Sequence, residues 1–268
     1  MTTPTHRQGA LLENRVGLVS GVGPGIGRSL ALALAREGAD VALVARNEAT
    51  LHGIAAEIEA LGRRAVPVRA DITRPGDCRR VAEATHSAFG RIDILVNNAF
   101  VSQPRVRFME GDLRAWRQTM DVNFWGSMEM THAVVPFMRE LGDARVIMIG
   151  SGSALVAAEG FGAYSGSKGA LLSATRVLAK ELGAWGIRVN TLIPGSTDTQ
   201  NTRDYHEKAA KDRGVDVEVV RAEFTDMTAL GYLPSPDEVA DAAVFFASPL
   251  ARAVTGQYLH VNGGSQLA

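Results

Sequence analysis

From Val16 onward, short apolar runs alternate with longer stretches in which apolar residues recur every three or four positions. This is the pattern of repeated strand–helix units around a parallel sheet. Val16 to Ser20 is the first run and Asp40 to Ala45 the second, followed by Leu51, Ile54, Ala55, Ile58 and Leu61 on one helical face. Ala65 to Arg69 predicts a third strand, and Cys78, Val81, Ala82, Thr85 and Phe89 line one stripe of the helix after it. Ile92–Val96, Arg145–Ile149, Ile187–Ile193 and Gln257–Val261 supply four more strands. A long helical stretch from about Asp112 to Leu141 precedes the fifth, and a second helix over Gly162–Leu182 leads into the sixth. The expectation is an α/β fold, a doubly wound, seven-stranded and mostly parallel sheet with helices on both faces.

Only residues 196–236 lack clear alternation. They mix charges with isolated apolar residues and end in Leu233-Pro234-Ser235-Pro236, and they are read as a substrate-covering insertion of loop and helices. Residues 1–13 are read as a flexible arm, and residues 14–268 as one catalytic domain.

Composition narrows the partners. Hydrophobic residues are 46% of 268, enough for one large core. The 28 basic and 29 acidic residues include no dense Lys/Arg block, which argues against nucleic acid. Cys78 is the one cysteine, so no intramolecular disulfide forms and no Cys-rich metal spacing exists. His132, His206 and His260 stand isolated and are read as structural, leaving no metal site. No uncharged apolar run approaches the roughly 18–20 residues that span a bilayer, and Met1–Leu12 lacks the apolar core of a signal peptide. A cytoplasmic protein without membrane association is expected.

Two motifs carry chemistry. Directly after the first strand, Ser20-Gly21-Val22-Gly23-Pro24-Gly25-Ile26-Gly27 leads into Leu30, Ala33, Leu34 and Glu37 at helical spacing. Glycines there let backbone approach a pyrophosphate, and the helix N-terminus offers unpaired N–H groups to its charge. Such a turn also serves tight strand–helix packing without a ligand. Gly21, Gly25 and Gly27 fall as G-x-x-x-G-x-G. Farther on, Tyr164 and Lys168 stand four apart at the start of the Gly162–Leu182 helix, on one face. A phenol with an ordinary pKa near 10 is a poor base at neutral pH, and a nearby ammonium stabilises its phenolate. Ser151 lies thirteen positions before the tyrosine, at the C-terminal end of the fifth strand, where open α/β sheets bind ligands.

With Asn97-Asn98-Ala99, Asn123 in Asp121-Val122-Asn123, Arg188-Val189-Asn190 and Pro194-Gly195 in the same order, the chain from about Asn14 to Gly264 resembles a classical short-chain dehydrogenase/reductase. The resemblance implies a Rossmann-type domain and hydride transfer between NADP(H) or NAD(H) and an alcohol or ketone. Tyr164 would be the general acid or base, and Ser151 would hydrogen-bond the substrate oxygen, with Ser153 its possible substitute. Lys168 would hold the nicotinamide ribose and lower the tyrosine pKa. Asn123 would position a water linking Lys168 to solvent, or else merely satisfy backbone groups at a helix irregularity.

The cofactor set is completed by Ser20, Gly21, Gly25, Ile26, Gly27, Arg46, Asp71, Ile72, Asn97, Ala99, Pro194, Gly195, Thr197 and Thr199. Relatives that prefer NAD usually end the second strand with an acid; here Ala45 stands there, followed by Arg46. NADP(H) is favoured, and NAD(H) stays open because Arg46 could stack on adenine or pair with a surface carboxylate. Phe100 replaces the family's common glycine. Phe100, Phe161, Tyr205, Phe224 and Met227 suggest an apolar cavity for a hydrophobic cyclic or aliphatic substrate. Arg105, Arg107 and Arg203 could face its mouth, but no cluster of basic residues marks a carboxylate or coenzyme A tail, and short-chain sugars and acyl-carrier substrates stay open. The long helices resemble those that pair in the family's dimers and tetramers, so a homo-oligomer is expected. A regulatory Rossmann protein that binds cofactor without turnover is the alternative.

Overall fold

The computed structural model describes residues 10–102, 104–156 and 158–267. Its strands are β1 (Val16–Ser20), β2 (Asp40–Ala45), β3 (Ala65–Arg69), β4 (Ile94–Asn97), β5 (Ala144–Ile149), β6 (Ile187–Pro194) and β7 (Tyr258–Val261). They form one sheet in the order β3-β2-β1-β4-β5-β6-β7. The sequence predicts a mostly parallel sheet; the sheet observed is parallel throughout. The reason lies in the connections, each of which carries the helix that a parallel crossover needs. In chain order these helices are α1 (Ile26–Arg36), α2 (Glu48–Ala60), α3 (Pro75–Phe89), α4 (Leu113–Met120), α5 (Gly126–Arg139), α6 (Gly162–Leu182), α7 (Gln200–Arg213), α8 (Val217–Thr225) and α9 (Pro236–Ala247).

The central strands β1, β4 and β5 are buried at every position, as strands covered on both faces must be. One apolar cluster joins Leu30 and Leu34 of α1, Ile58 of α2 and Phe246 of α9 to the sheet. On the opposite face Val81 of α3, Met130 and Val134 of α5 and Leu171 of α6 form the second. Each face is therefore sealed by its own helices, which is the doubly wound arrangement. No helix among the described residues is long and apolar enough to cross a membrane.

Three segments depart from the sequence reading. Of the arm expected over residues 1–13, residues 1–9 lie outside the described residues. Leu12 is buried, and the backbone N–H groups of Leu11 and Leu12 donate to the Glu37 carboxylate and carbonyl. The Asp112–Leu141 stretch is divided by a π-helical segment, Asp121–Trp125, between α4 and α5. Residues 196–236 contain α7 and α8, each lying lightly on the body with only His206 and Ala210, or only Val220, buried. So few buried positions leave no apolar stripe for a periodicity to detect.

Chain order runs one way from β1 to β3 and the other way from β4 to β7. The crevice between β1 and β4, at their C-terminal ends, is where such a sheet leaves room for a ligand.

Candidate active site

The floor of the crevice is the turn from β1 into α1. Gly21 has φ +88°, and a Cβ on it would lie 2.3 Å from the backbone of Ala99. Its N–H donates to the Val44 carbonyl at 2.8 Å, and its carbonyl accepts from Asn98 Nδ2 at 2.7 Å. The turn is thus bonded to β2 on one side and to the end of β4 on the other. A Cβ on Gly27 would meet the Gly21 carbonyl at 2.4 Å, whereas one on Gly23 would meet nothing. Gly25 caps α1 with no side-chain hydrogen bond and no acid in the first turn. Open backbone at an uncapped helix N-terminus fits a pyrophosphate.

From this turn the cleft runs in two directions. Toward β2 and β3 it is lined by Ala45, Arg46, Asp71, Ile72 and Ala99. Toward β5 and β6 it is lined by Ile26, Tyr164, Lys168, Pro194, Gly195, Thr197 and Thr199. Burial works to raise the Asp71 carboxyl, but two hydrogen bonds from Thr73, with Arg46 and Arg74 nearby, hold it below the usual carboxylate range. Among the described residues Arg46 makes no ion pair.

Ser20 is fully buried beneath the cleft with an unpartnered hydroxyl. Asn97 also stands apart from it. Its Nδ2 is turned toward α5, 3.0 Å from Thr131 Oγ1 and 3.3 Å from Met148 Sδ. The neighbour Asn98 lines the cleft instead.

At the end of β5, Ser151 Oγ accepts from the N–H and the hydroxyl of Ser153, at 3.3 and 3.0 Å. That leaves its own proton to donate, and Ser151 lines both the β5–β6 stretch of the cleft and the cavity beyond it, as Tyr164 does. Burial pushes the Tyr164 phenol above its ordinary value, and Ser151 pulls the other way. Lys168 is 2% exposed, with its Nζ 5.8 Å from the Tyr164 ring centroid and donating to the Ile149 carbonyl at 2.7 Å. Burial pushes its ammonium down to about 8. The sequence reading has the ammonium lower the phenol; here burial is the largest influence on the phenol, and the group that lowers it is Ser151.

Asn123 sits in the π-helical segment. Its Oδ1 accepts from the Val101 N–H at 2.7 Å, while its Nδ2 donates to the Val101 carbonyl and to Ser167 Oγ, both at 3.0 Å. It ties the loop after β4 to α6, immediately behind Tyr164 and Lys168.

Beyond Ser151 and Tyr164 the cleft opens into a cavity of about 410 Å³ that Phe100, Ser153 and Phe161 help to line. Phe224 and Met227 reach it from the α8 side. Tyr205 does not: it is 51% exposed on α7, with its ring 5.9 Å from that of Phe224. Sequence reasoning missed Ser102, Thr228, Ser265 and Gln266, which make the wall more polar than expected. The last two arrive because Gly263 and Gly264, both with positive φ, turn the chain back over the cavity. The Asn262-Gly263-Gly264 run was the available signal.

The family model described as enoyl-(acyl carrier protein) reductase matches residues 21–266. The short-chain reductase protein NovJ of Streptomyces niveus is 35% identical over 269 residues, covering 98% of this chain and 99% of the relative. L-rhamnose 1-dehydrogenase (NAD(P)(+)) of Sphingomonas sp. strain SKA58 is 34% identical, over 95% of this chain and 97% of that one. A solved structure from Sinorhizobium meliloti 1021, described as a candidate short-chain alcohol dehydrogenase, superposes with a TM-score of 0.87 at 31% identity. It covers 95% of this chain and 97% of its own. The chain belongs to the classical short-chain dehydrogenase/reductase family, oxidoreductases that use NAD(P)(H).

Proposed function

We propose that this protein transfers a hydride between NADP(H) and the carbon of an alcohol or ketone. The observation that carries the reading is that Ser151 and Tyr164 meet on the wall shared by the nucleotide cleft and the inner cavity. A nicotinamide dinucleotide, when bound, supplies or takes up the hydride. Tyr164 gives its proton to the substrate oxygen in reduction and recovers it in oxidation. Ser151, held by Ser153, donates to the same oxygen as charge develops there. Lys168 holds the ribose and keeps a positive charge beside the phenol, and Asn123 holds the wall behind them both.

An arginine at Arg46 that makes no ion pair among the described residues, following Ala45 where an acid would repel a phosphate, supports NADP(H) over NAD(H). The aromatic and aliphatic lining from Phe100, Phe161 and Met227 supports a substrate with a hydrophobic cyclic or aliphatic body. A regulator that binds nucleotide without turnover would have no use for a serine and a tyrosine brought together in this way. The apolar patch of Met128, Val135, Leu178 and Trp185 on and beside α5 and α6 supports a dimer or tetramer.

Fluorescence titration of the purified protein with NADPH and, separately, NADH tests the cofactor. Tighter NADPH binding is expected, equal or tighter NADH binding removes the Arg46 argument, and binding of neither removes the reading itself. Tyr164→Phe is expected to keep nucleotide affinity within about threefold while lowering turnover by at least the 100-fold of a general acid. Unchanged turnover in that variant would sink the assignment.

A further inference from the structure

Arg105 is the one charged side chain among the described residues that line the inner cavity. Its guanidinium carbon lies 5.0 Å from the Phe161 ring centroid, and that ring lies 5.1 Å from the ring of Tyr164. One ring, that of Phe161, therefore separates the cation from the reacting phenol along the cavity wall. Stacking on an aromatic face leaves the N–H edge of a guanidinium free to donate.

The position of Arg105 is fixed by its backbone. The N–H of the next residue, Val106, donates to the Gly160 carbonyl at 3.0 Å. Gly160 has φ +73°, and a Cβ on it would press to 3.0 Å from Val106 N and 3.3 Å from Arg105 Cβ. A glycine is what lets the loop after β4 dock on the loop before α6 with Arg105 over Phe161. Acids do occur nearby. Glu159 and Glu110 share the outer hollow with Arg105, but Glu159 is engaged by Arg107 at 3.1 Å, and among the described residues neither pairs with Arg105.

We infer that Arg105 binds a carboxylate of the substrate, so that the alcohol or ketone taken by this site is an anionic one. The inference rests on the hydride-transfer reading and adds the substrate class to it. A guanidinium matches a carboxylate with two parallel N–H···O bonds. A single cation in a cavity where no acid is among the described lining residues balances one negative charge, which suits a carboxylate better than a phosphate carrying nearly two. With the carboxylate at Arg105 and the carbonyl at Ser151 and Tyr164, a substrate is held at both ends, which fixes the carbon that accepts hydride.

The test uses 4-oxopentanoate, 5-oxohexanoate and 6-oxoheptanoate, each beside its methyl ester. Binding to the whole protein is measured by calorimetry, and turnover with NADPH and NADH is measured in parallel. For at least one chain length the acid is expected to bind about 10- to 100-fold more tightly than its ester, the range for a hydrogen bond to a charged group. In Arg105→Gln that ratio falls to near one, and in Arg105→Lys, which keeps the charge but not the fork, it is intermediate. No preference for the acid at any length overturns the inference, as does a preference that survives Arg105→Gln. Turnover without acid preference leaves the hydride-transfer reading standing and removes the carboxylate. Acid preference without turnover of any pair does the reverse.

Discussion

Tyr164 and Lys168 are displaced in opposite directions by one cause, since burial disfavours the charged form of each. The consequence for Lys168 is a stability cost with a defined pH window. Its folded pKa of about 8 lies below the ordinary 10.5, so the folded state holds its proton less tightly than the unfolded chain. The cost is fully present below pH 8, at most about 3 kcal/mol, and is relieved as pH rises toward 10.5. Lys168→Met is therefore expected to melt at a higher temperature than the native chain at pH 7, even though the Ile149 carbonyl loses its donor at about 1 kcal/mol. The gap should narrow steadily between pH 8 and 10 in thermal melts, and a gap independent of pH would refute a burial origin. Serine, tyrosine and lysine were legible in the sequence because their order and spacing, at the end of β5 and the start of α6, match the pattern of the family the chain resembles. Which of Asn97 and Asn98 faces the crevice was not, because that depends on where β4 ends. The strand stops at Asn97, whose side chain stays between β4 and α5, and only the residue beyond it can turn into the turn of Gly21.

At the level of the element, the β1–α1 turn is held by packing at some glycines and left open at others. Gly21→Ala would force a side chain into a left-handed backbone and against Ala99. It is expected to cost about 1–3 kcal/mol for the backbone alone, read as a lower denaturation midpoint. Gly23→Ala meets no neighbour and is expected to stay within about 0.5 kcal/mol, yet to weaken nucleotide binding if backbone there approaches phosphate. Equal stability losses in the two variants would contradict this division. The seven strands were legible because each is a short apolar run, dense in the buried inner strands and thinner in the half-buried edge strands β3 and β7. α7 and α8 were hidden because they bury so little. Their caps were the better clue: Thr199 accepts from the Thr202 N–H, and Asp216 accepts from the Glu218 N–H. The break between α4 and α5 left little trace because residues on both sides keep helical angles, and the helix irregularity considered at Asn123 was its hint.

For the molecule as a whole, the same two helices that back the site also present apolar surface outward. Val177 on α6 is 52% exposed, and Trp185 stands exposed just past its end under Arg139. Sedimentation of the native protein is expected to give a dimer or tetramer, and Val177→Arg to lower the mass without lowering the melting temperature of the protomer. A native monomer would end the oligomer proposal. The five residues Asp121–Trp125, between α4 and α5, also set the phase between those helices. A π-helical turn is an α-helix with one residue too many, and the segment carries that surplus residue here. Excising Val122 would restore a single unbroken helix and rotate α4 by about 100° against α5. Trp116, whose ring now fills the place a Gly162 side chain would take, would swing away from the first turn of α6, two residues before Tyr164. The surplus residue lets one continuous rod serve two masters, with α5 keyed to the sheet and α4 keyed to the helix that carries the reacting phenol.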